Sequence, residues 1–140
     1  MTWFFFVTTR RQERALYTQH PYHCGLDWGR RGVRQAAERG DLLVIVDTLS
    51  FSTAVVTAVH SGGLIYPCSL EQDAAVVVSK LLAQEDLAVT VIACGERWNP
   101  PSEDGGLRIA VEDYLGSGAI LSSLHFEKSS EARVCEGAFV

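Results

Sequence analysis

Two unbroken apolar runs set the frame of this chain. Leu42 to Val46 contains only leucine and β-branched residues, the pattern of a strand buried on both faces. Leu87 to Ala93 repeats it. Helical stripes follow or flank these runs. Val55, Val56 and Val59 recur with small alanines between them, and Ser52 or Thr53 is the natural N-cap. Ala74, Val77, Val78, Leu81 and Leu82 form one face over 70–85, with Ser69 as N-cap and acids at 71 and 73 in the first turn. Arg30 to Arg39 carries a weaker stripe, Val33, Ala36 and Ala37, before Gly40, a good residue just past a helix end. Leu107 to Leu124 reads as a helix thinned by Gly116-Ser117-Gly118, and Ser129 to Phe139 as a last short one. Trp3 to Thr9 predicts a first strand, and Leu64 to Tyr66 a short one stopped by Pro67. Arg10 to Cys24 is polar and aromatic and predicts no regular element. Strand, helix and strand in alternation predict an α/β chain with right-handed crossovers and a mostly parallel sheet.

At 140 residues the chain is expected to form a single domain, 1–140, with a sizeable core. A net charge of -5, with arginines scattered among acids, argues against a nucleic-acid partner. The early apolar run from Trp3 to Val7 is too short to cross a bilayer and lacks the form of a signal peptide. The expectation is a cytoplasmic protein with no membrane partner. Cys24, Cys68, Cys94 and Cys135 have neither paired nor zinc-type spacing and are expected to be reduced, mostly buried thiols. Trp28 and Trp98 are read as packing residues, and the four histidines show no triad-like placement.

Chemistry collects where the two apolar runs end. Asp47 closes the first, and Thr48, Ser50, Ser52 and Thr53 follow it into a helix start. Cys94-Gly95-Glu96-Arg97 closes the second. In open α/β sheets ligands bind at the carboxyl ends of the strands, and a helix N-terminus there favours an anion. Glu112 and Asp113 could join from the long helix; they lie about 100° apart around its axis, so one of them pointing inward is enough. Such carboxylates suit magnesium shared with a phosphate. The plainer alternative is that the hydroxyls only cap the helix and the paired acids are solvated. Cys94 beside Arg97 could be an activated thiol, but the arginine follows too soon for a Cys-x5-Arg phosphate loop, and a buried inert thiol is the simpler reading.

These segments together resemble one family. Leu-Asp-Trp-Gly (26–29), Val-Ile-Val-Asp-Thr-Leu-Ser-Phe-Ser-Thr (44–53), Ile-Tyr-Pro (65–67), Ala-Cys-Gly-Glu-Arg-Trp (93–98), Leu-Arg (107–108) and Glu-Asp-Tyr-Leu-Gly-Ser-Gly-Ala-Ile (112–120) are similar, in order, to the 2-phosphosulfolactate phosphatase (ComB-like) family. The resemblance implies a three-layer α/β/α fold and a magnesium-dependent phosphatase of small phosphorylated acids, on the route to coenzyme M for the name reaction. It implies Asp47, Glu96 and Arg97 as catalytic residues and Ser50, Ser52, Thr53 and Gly95 as substrate-binding residues. It implies Asp47, Glu112 and Asp113 as magnesium ligands. Two departures stand against it. Ser50 lies where the phosphatases usually carry an arginine, the residue type that grips phosphate bidentately. The family's middle section is also missing near residues 69–75, so that Ser69 runs into one helix and then Leu87. The gap leaves open an exposed core, a homodimer formed through it, or marginal stability. The competing functional expectation is an inactive remnant that binds an anion or a protein partner.

Overall fold

The computed structural model describes residues 2–7, 19–48, 56, 59, 60, 65, 68, 71–84, 87–99 and 106–140. Of the helix expected after Asp47 only residues 56, 59 and 60 are described; they are helical, but Val56 and Val59 are exposed and do not form a buried stripe. Ser50, Ser52 and Thr53, and most of the Leu64 to Tyr66 strand, lie outside the described residues. The elements in order are β1 (Thr2–Val7), β2 (Cys24–Trp28), α1 (Gly29–Arg39), β3 (Leu42–Asp47), α2 (Glu71–Gln84), β4 (Val89–Ala93), β5 (Glu96–Arg97), β6 (Leu107–Arg108), α3 (Val111–Ser122) and α4 (Ser130–Phe139).

The main sheet has the order β1-β3-β4-β2. Strands β3, β4 and β2 run parallel, and β1 is antiparallel to β3 at one edge. The fold is mixed α/β. The two apolar runs became the central strands because both their faces are covered. Leu42, Val44 and Val46 align with Val89 and Val91 on one face. They pack there with Ala74 and Val78 of α2, Ile120 and Leu121 of α3, and Ala132 and Cys135 of α4. One residue out of phase, Leu43, Ile45 and Ile92 face Val33, Ala36 and Ala37 of α1. The strand period of two thus divides the side chains between two cores.

Helix α1 ends as expected, with Gly40 at φ 80° donating its N–H to Ala37, a left-handed turn that favours glycine. Helix α4 begins as expected, with the Ser129 hydroxyl accepting from the Ala132 N–H at 3.1 Å. At the amino ends of β3 and β4, Asp41, Thr90 and Arg39 form a buried network. The Thr90 hydroxyl donates to Asp41 Oδ2 at 2.7 Å, and the Arg39 guanidinium reaches both.

Four expectations are corrected. First, β2 is a strand although its segment carries a glycine and an acid. Its outer edge is closed by side chains and a neighbouring segment rather than by another strand. Gln19 Nε2 donates to the Leu26 carbonyl at 2.6 Å, and Gln19 Oε1 accepts from the Leu26 N–H at 3.0 Å. The Cys24 N–H donates to Glu127 O, Ser129 N–H donates to Cys24 O, and the Trp28 N–H is taken by Asp27 Oδ1. Second, Leu107 to Leu124 is not one helix. Leu107–Arg108 pairs with Glu96–Arg97 as a two-stranded ribbon, and the helix starts at Val111. Leu107 sits over Gly29 and Gly95, a contact that a helical course would forfeit. Third, Gly118 does not merely thin its helix but lets α4 approach: a Cβ there would lie 2.5 Å from the Cys135 carbonyl oxygen. Fourth, Trp98 is 48% exposed and is not a packing residue, whereas Trp28 stacks on Tyr114 with centroids 5.8 Å apart. The four cysteines are free thiols, and three of them are buried. No helix among the described residues is long and apolar enough to cross a membrane.

Candidate functional site

Because β3, β4 and β2 are parallel, their carboxyl ends open on one side of the sheet. Asp47 and Thr48 end β3, Cys94 and Gly95 follow β4, and Trp28 and Gly29 end β2. The first turn of α3 comes over this edge with Glu112, Asp113 and Tyr114. Both acids lie in the helix's first turn, where the dipole favours negative charge.

Asp113 is the inward member of the pair, only 4% exposed. Its Oδ1 accepts from the Thr48 N–H at 2.9 Å and from the Thr48 hydroxyl. Its Oδ2 accepts from the Gly95 N–H at 3.0 Å. One buried carboxylate on α3 therefore ties together the ends of two neighbouring strands. The Gly95 turn needs glycine twice over: φ is 66°, and a Cβ would lie 2.8 Å from Leu107 Cδ2 and 2.9 Å from the Arg108 carbonyl.

Cys94 lies among these groups. Its N–H donates to Val46 O at 2.9 Å. Burial, and then the charges of Asp47 and Asp113, push its thiol up to about 12. A thiol in that state is neutral at ordinary pH and a poor nucleophile. This favours the inert reading of Cys94 and places both Asp47 and Asp113 within electrostatic reach of its thiol.

The remaining residues are distributed by the ribbon. Glu96 stands directly opposite Arg108 and forms an exposed ion pair with it. Arg97 stands opposite Leu107. Alternation along the strands puts Arg97 on the ribbon face that Leu107 turns toward Gly29 and Gly95, and Glu96 on the other. So Asp47, Gly95 and Asp113 are brought together, Arg97 shares their side of the ribbon, and Glu96 faces away, paired. Glu112 is half-buried beside Asp113.

The oxygen donors on this edge are of the kind magnesium takes. However, among the described residues no three histidine, cysteine, aspartate or glutamate side chains are grouped to hold a metal ion. Asp113 already has both oxygens engaged by protein donors. The described residues do not by themselves compose a magnesium site.

Thr48, Gln19 and Leu107 matter here and were given no site role by the sequence. Thr48 was noted only as one of the hydroxyls after the strand-ending acid. Leu107 was noted only in the Leu-Arg pair at 107–108. Gln19 sits in a stretch with no periodic pattern and gave no signal. No family model matches the chain, and no curated protein or solved structure is significantly similar to it.

Proposed function

We propose that the chain is a phosphatase-like protein with a shortened three-layer α/β/α fold of the ComB-like type, hydrolysing a small phosphorylated acid at this edge. The observation that carries the reading is the convergence of Asp47, the Cys94-Gly95 turn and Asp113 at the carboxyl ends of adjacent parallel strands. In this proposal Asp47 acts on the phosphoryl group, as base toward water or as nucleophile. The hydroxyls of Ser50, Ser52 and Thr53 and the Arg97 guanidinium answer the negative charge of the substrate. Magnesium is proposed as a requirement, with Asp47 and Glu112 as its protein oxygens.

A specific observation favours a second reading, an inactive remnant that binds an anion. Glu96 is paired with Arg108 and Asp113 with backbone donors, so two of the acids proposed for chemistry are already satisfied within the protein. Phosphate release from 2-phosphosulfolactate and a panel of small phosphate monoesters separates the two. Magnesium-dependent release, stopped by excess chelator and by Asp47→Asn, is the expected result. A cooperatively folded protein that releases no phosphate from any of them would leave the remnant.

A further inference from the structure

The backbone N–H groups of Thr48 and Gly95 point into the notch between the ends of β3 and β4. That is where an α/β sheet offers donors to an anion. Here the notch is filled. Asp113 Oδ1 takes the Thr48 N–H at 2.9 Å together with the Thr48 hydroxyl, and Oδ2 takes the Gly95 N–H at 3.0 Å. Thr48 and Gly95 are half-buried, while Asp113 is only 4% exposed. Its own helix anchors it further, since Ser117 Oγ donates to the Asp113 carbonyl at 2.7 Å. Three donors converging on one buried carboxylate reproduce what a bound anion would receive.

We propose that Asp113 is an internal anion. It occupies the notch at the ends of β3 and β4 and positions Thr48 and the Gly95 turn, so that a substrate's phosphate is held beside this notch and not by these two amides. The inference rests on reading the edge as an anion site, and it replaces two expectations from the resemblance: Gly95 shapes the site without binding substrate, and Asp113 is a positioning residue and not a metal ligand. Phosphate must then be gripped by side chains, of which Arg97 lies on the right face of the ribbon.

The test does not use turnover, so this inference and the phosphatase reading can fail separately. In 15N-labelled wild-type protein, inorganic phosphate is titrated while the Thr48 and Gly95 amide signals are followed. Those two signals are expected to stay fixed, even where neighbouring signals move. Saturable movement of the Thr48 and Gly95 amide protons by phosphate would overturn the proposal. In Asp113→Ala the notch is vacated. Formate at about ten times its dissociation constant is expected to recover roughly 4 °C of lost melting temperature. Wild-type protein, and either protein in chloride of equal ionic strength, should show no such gain. A folded Asp113→Ala protein indifferent to formate would also overturn it. If that variant does not fold, the wild-type titration decides alone.

Discussion

Gly118 provides the sharpest check on how the helices pack. It lies in the middle of α3, where replacing glycine by alanine ordinarily stabilises a helix by about 1 kcal/mol. Here the new Cβ would stand 2.5 Å from the Cys135 carbonyl oxygen and 2.8 Å from Phe139 Cβ. The first of these is backbone, so relief cannot come from a rotamer change. Helix α4 would have to retreat by about 0.9 Å to reach the 3.4 Å at which ordinary contact begins. Overpacking of this kind costs about 1–3 kcal/mol. It would also loosen Ala132 and Cys135 from the core they share with Ile120 and Leu121. Set against the propensity gain, Gly118→Ala should lower stability by up to roughly 2 kcal/mol, a fall of up to about 7 °C in melting temperature. Gly137 is the internal control. It lies in α4, and a Cβ there meets nothing within 4 Å, so Gly137→Ala should gain up to about 1 kcal/mol. Urea denaturation followed by circular dichroism measures both. A Gly118→Ala protein that gains as much stability as Gly137→Ala would refute the packing argument, and a loss in both variants would show that the clash is not the cause.

Two further expectations follow from the buried polar groups. Gln19→Ala removes both side-chain bonds to Leu26 and the acceptor of the Ser129 hydroxyl at 2.6 Å. It should cost about 1–3 kcal/mol and speed hydrogen exchange at the Leu26 amide, and an unchanged exchange rate there would contradict the edge closure. Cys24, Cys94 and Cys135 are each pushed up to about 12 by burial. An unfolded thiol ionises near 9, so the folded state holds its protons longer, and the stability this confers is whole below about pH 9 and lost as pH rises toward 12. Each thiol adds a slope of up to about 1.4 kcal/mol per pH unit, and Cys135→Ala should make the measured decline shallower.

The part of the fold that was legible is the part governed by continuous apolar runs. Leu42 to Val46 and Val89 to Ala93 needed only burial on both faces to be read as central parallel strands, and Gly40 and Ser129 announced helix ends by their own backbone chemistry. Strand β2 was illegible because its stability is not in its own residues. Cys24-Gly25-Leu26-Asp27-Trp28 has no strand-like run, and the donors and acceptors of its outer edge are met by Gln19, Asp27 and the 127–129 segment. Leu107 was misread for a related reason. Local propensity favours helix there, but the two glycine turns at 29 and 95 leave space that only an extended Leu107 fills. The candidate site was legible as a place, since polar groups followed both central strands, hydroxyls after Asp47 and Glu96 and Arg97 after Ala93. It was not legible as a division of labour, because which carboxylate is engaged depends on donors far away in sequence: Thr48 lies 65 residues before Asp113.

That division of labour makes the two ends of the sheet comparable. At the amino ends, Asp41 binds the Thr90 hydroxyl and the Arg39 guanidinium, and so joins the end of α1 to β4. At the carboxyl ends, Asp113 binds Thr48 and Gly95, and so joins α3 to β3 and β4. Each is a buried carboxylate whose charge is answered by donors inside the protein, and each fixes a helix to neighbouring strands. The difference lies in the donors. Asp41 has a full positive charge beside it, 2.7 Å away. The donors to Asp113 at this edge are neutral, two backbone amides and a hydroxyl. If the edge binds an anion as proposed, these two amides are already engaged and do not receive it. The cations that would make binding favourable must therefore come from the ribbon or from a bound metal ion. This is why Arg97→Ala should weaken anion binding more than any change at Gly95 that leaves the turn intact, a comparison that titration of phosphate into the folded variants measures directly.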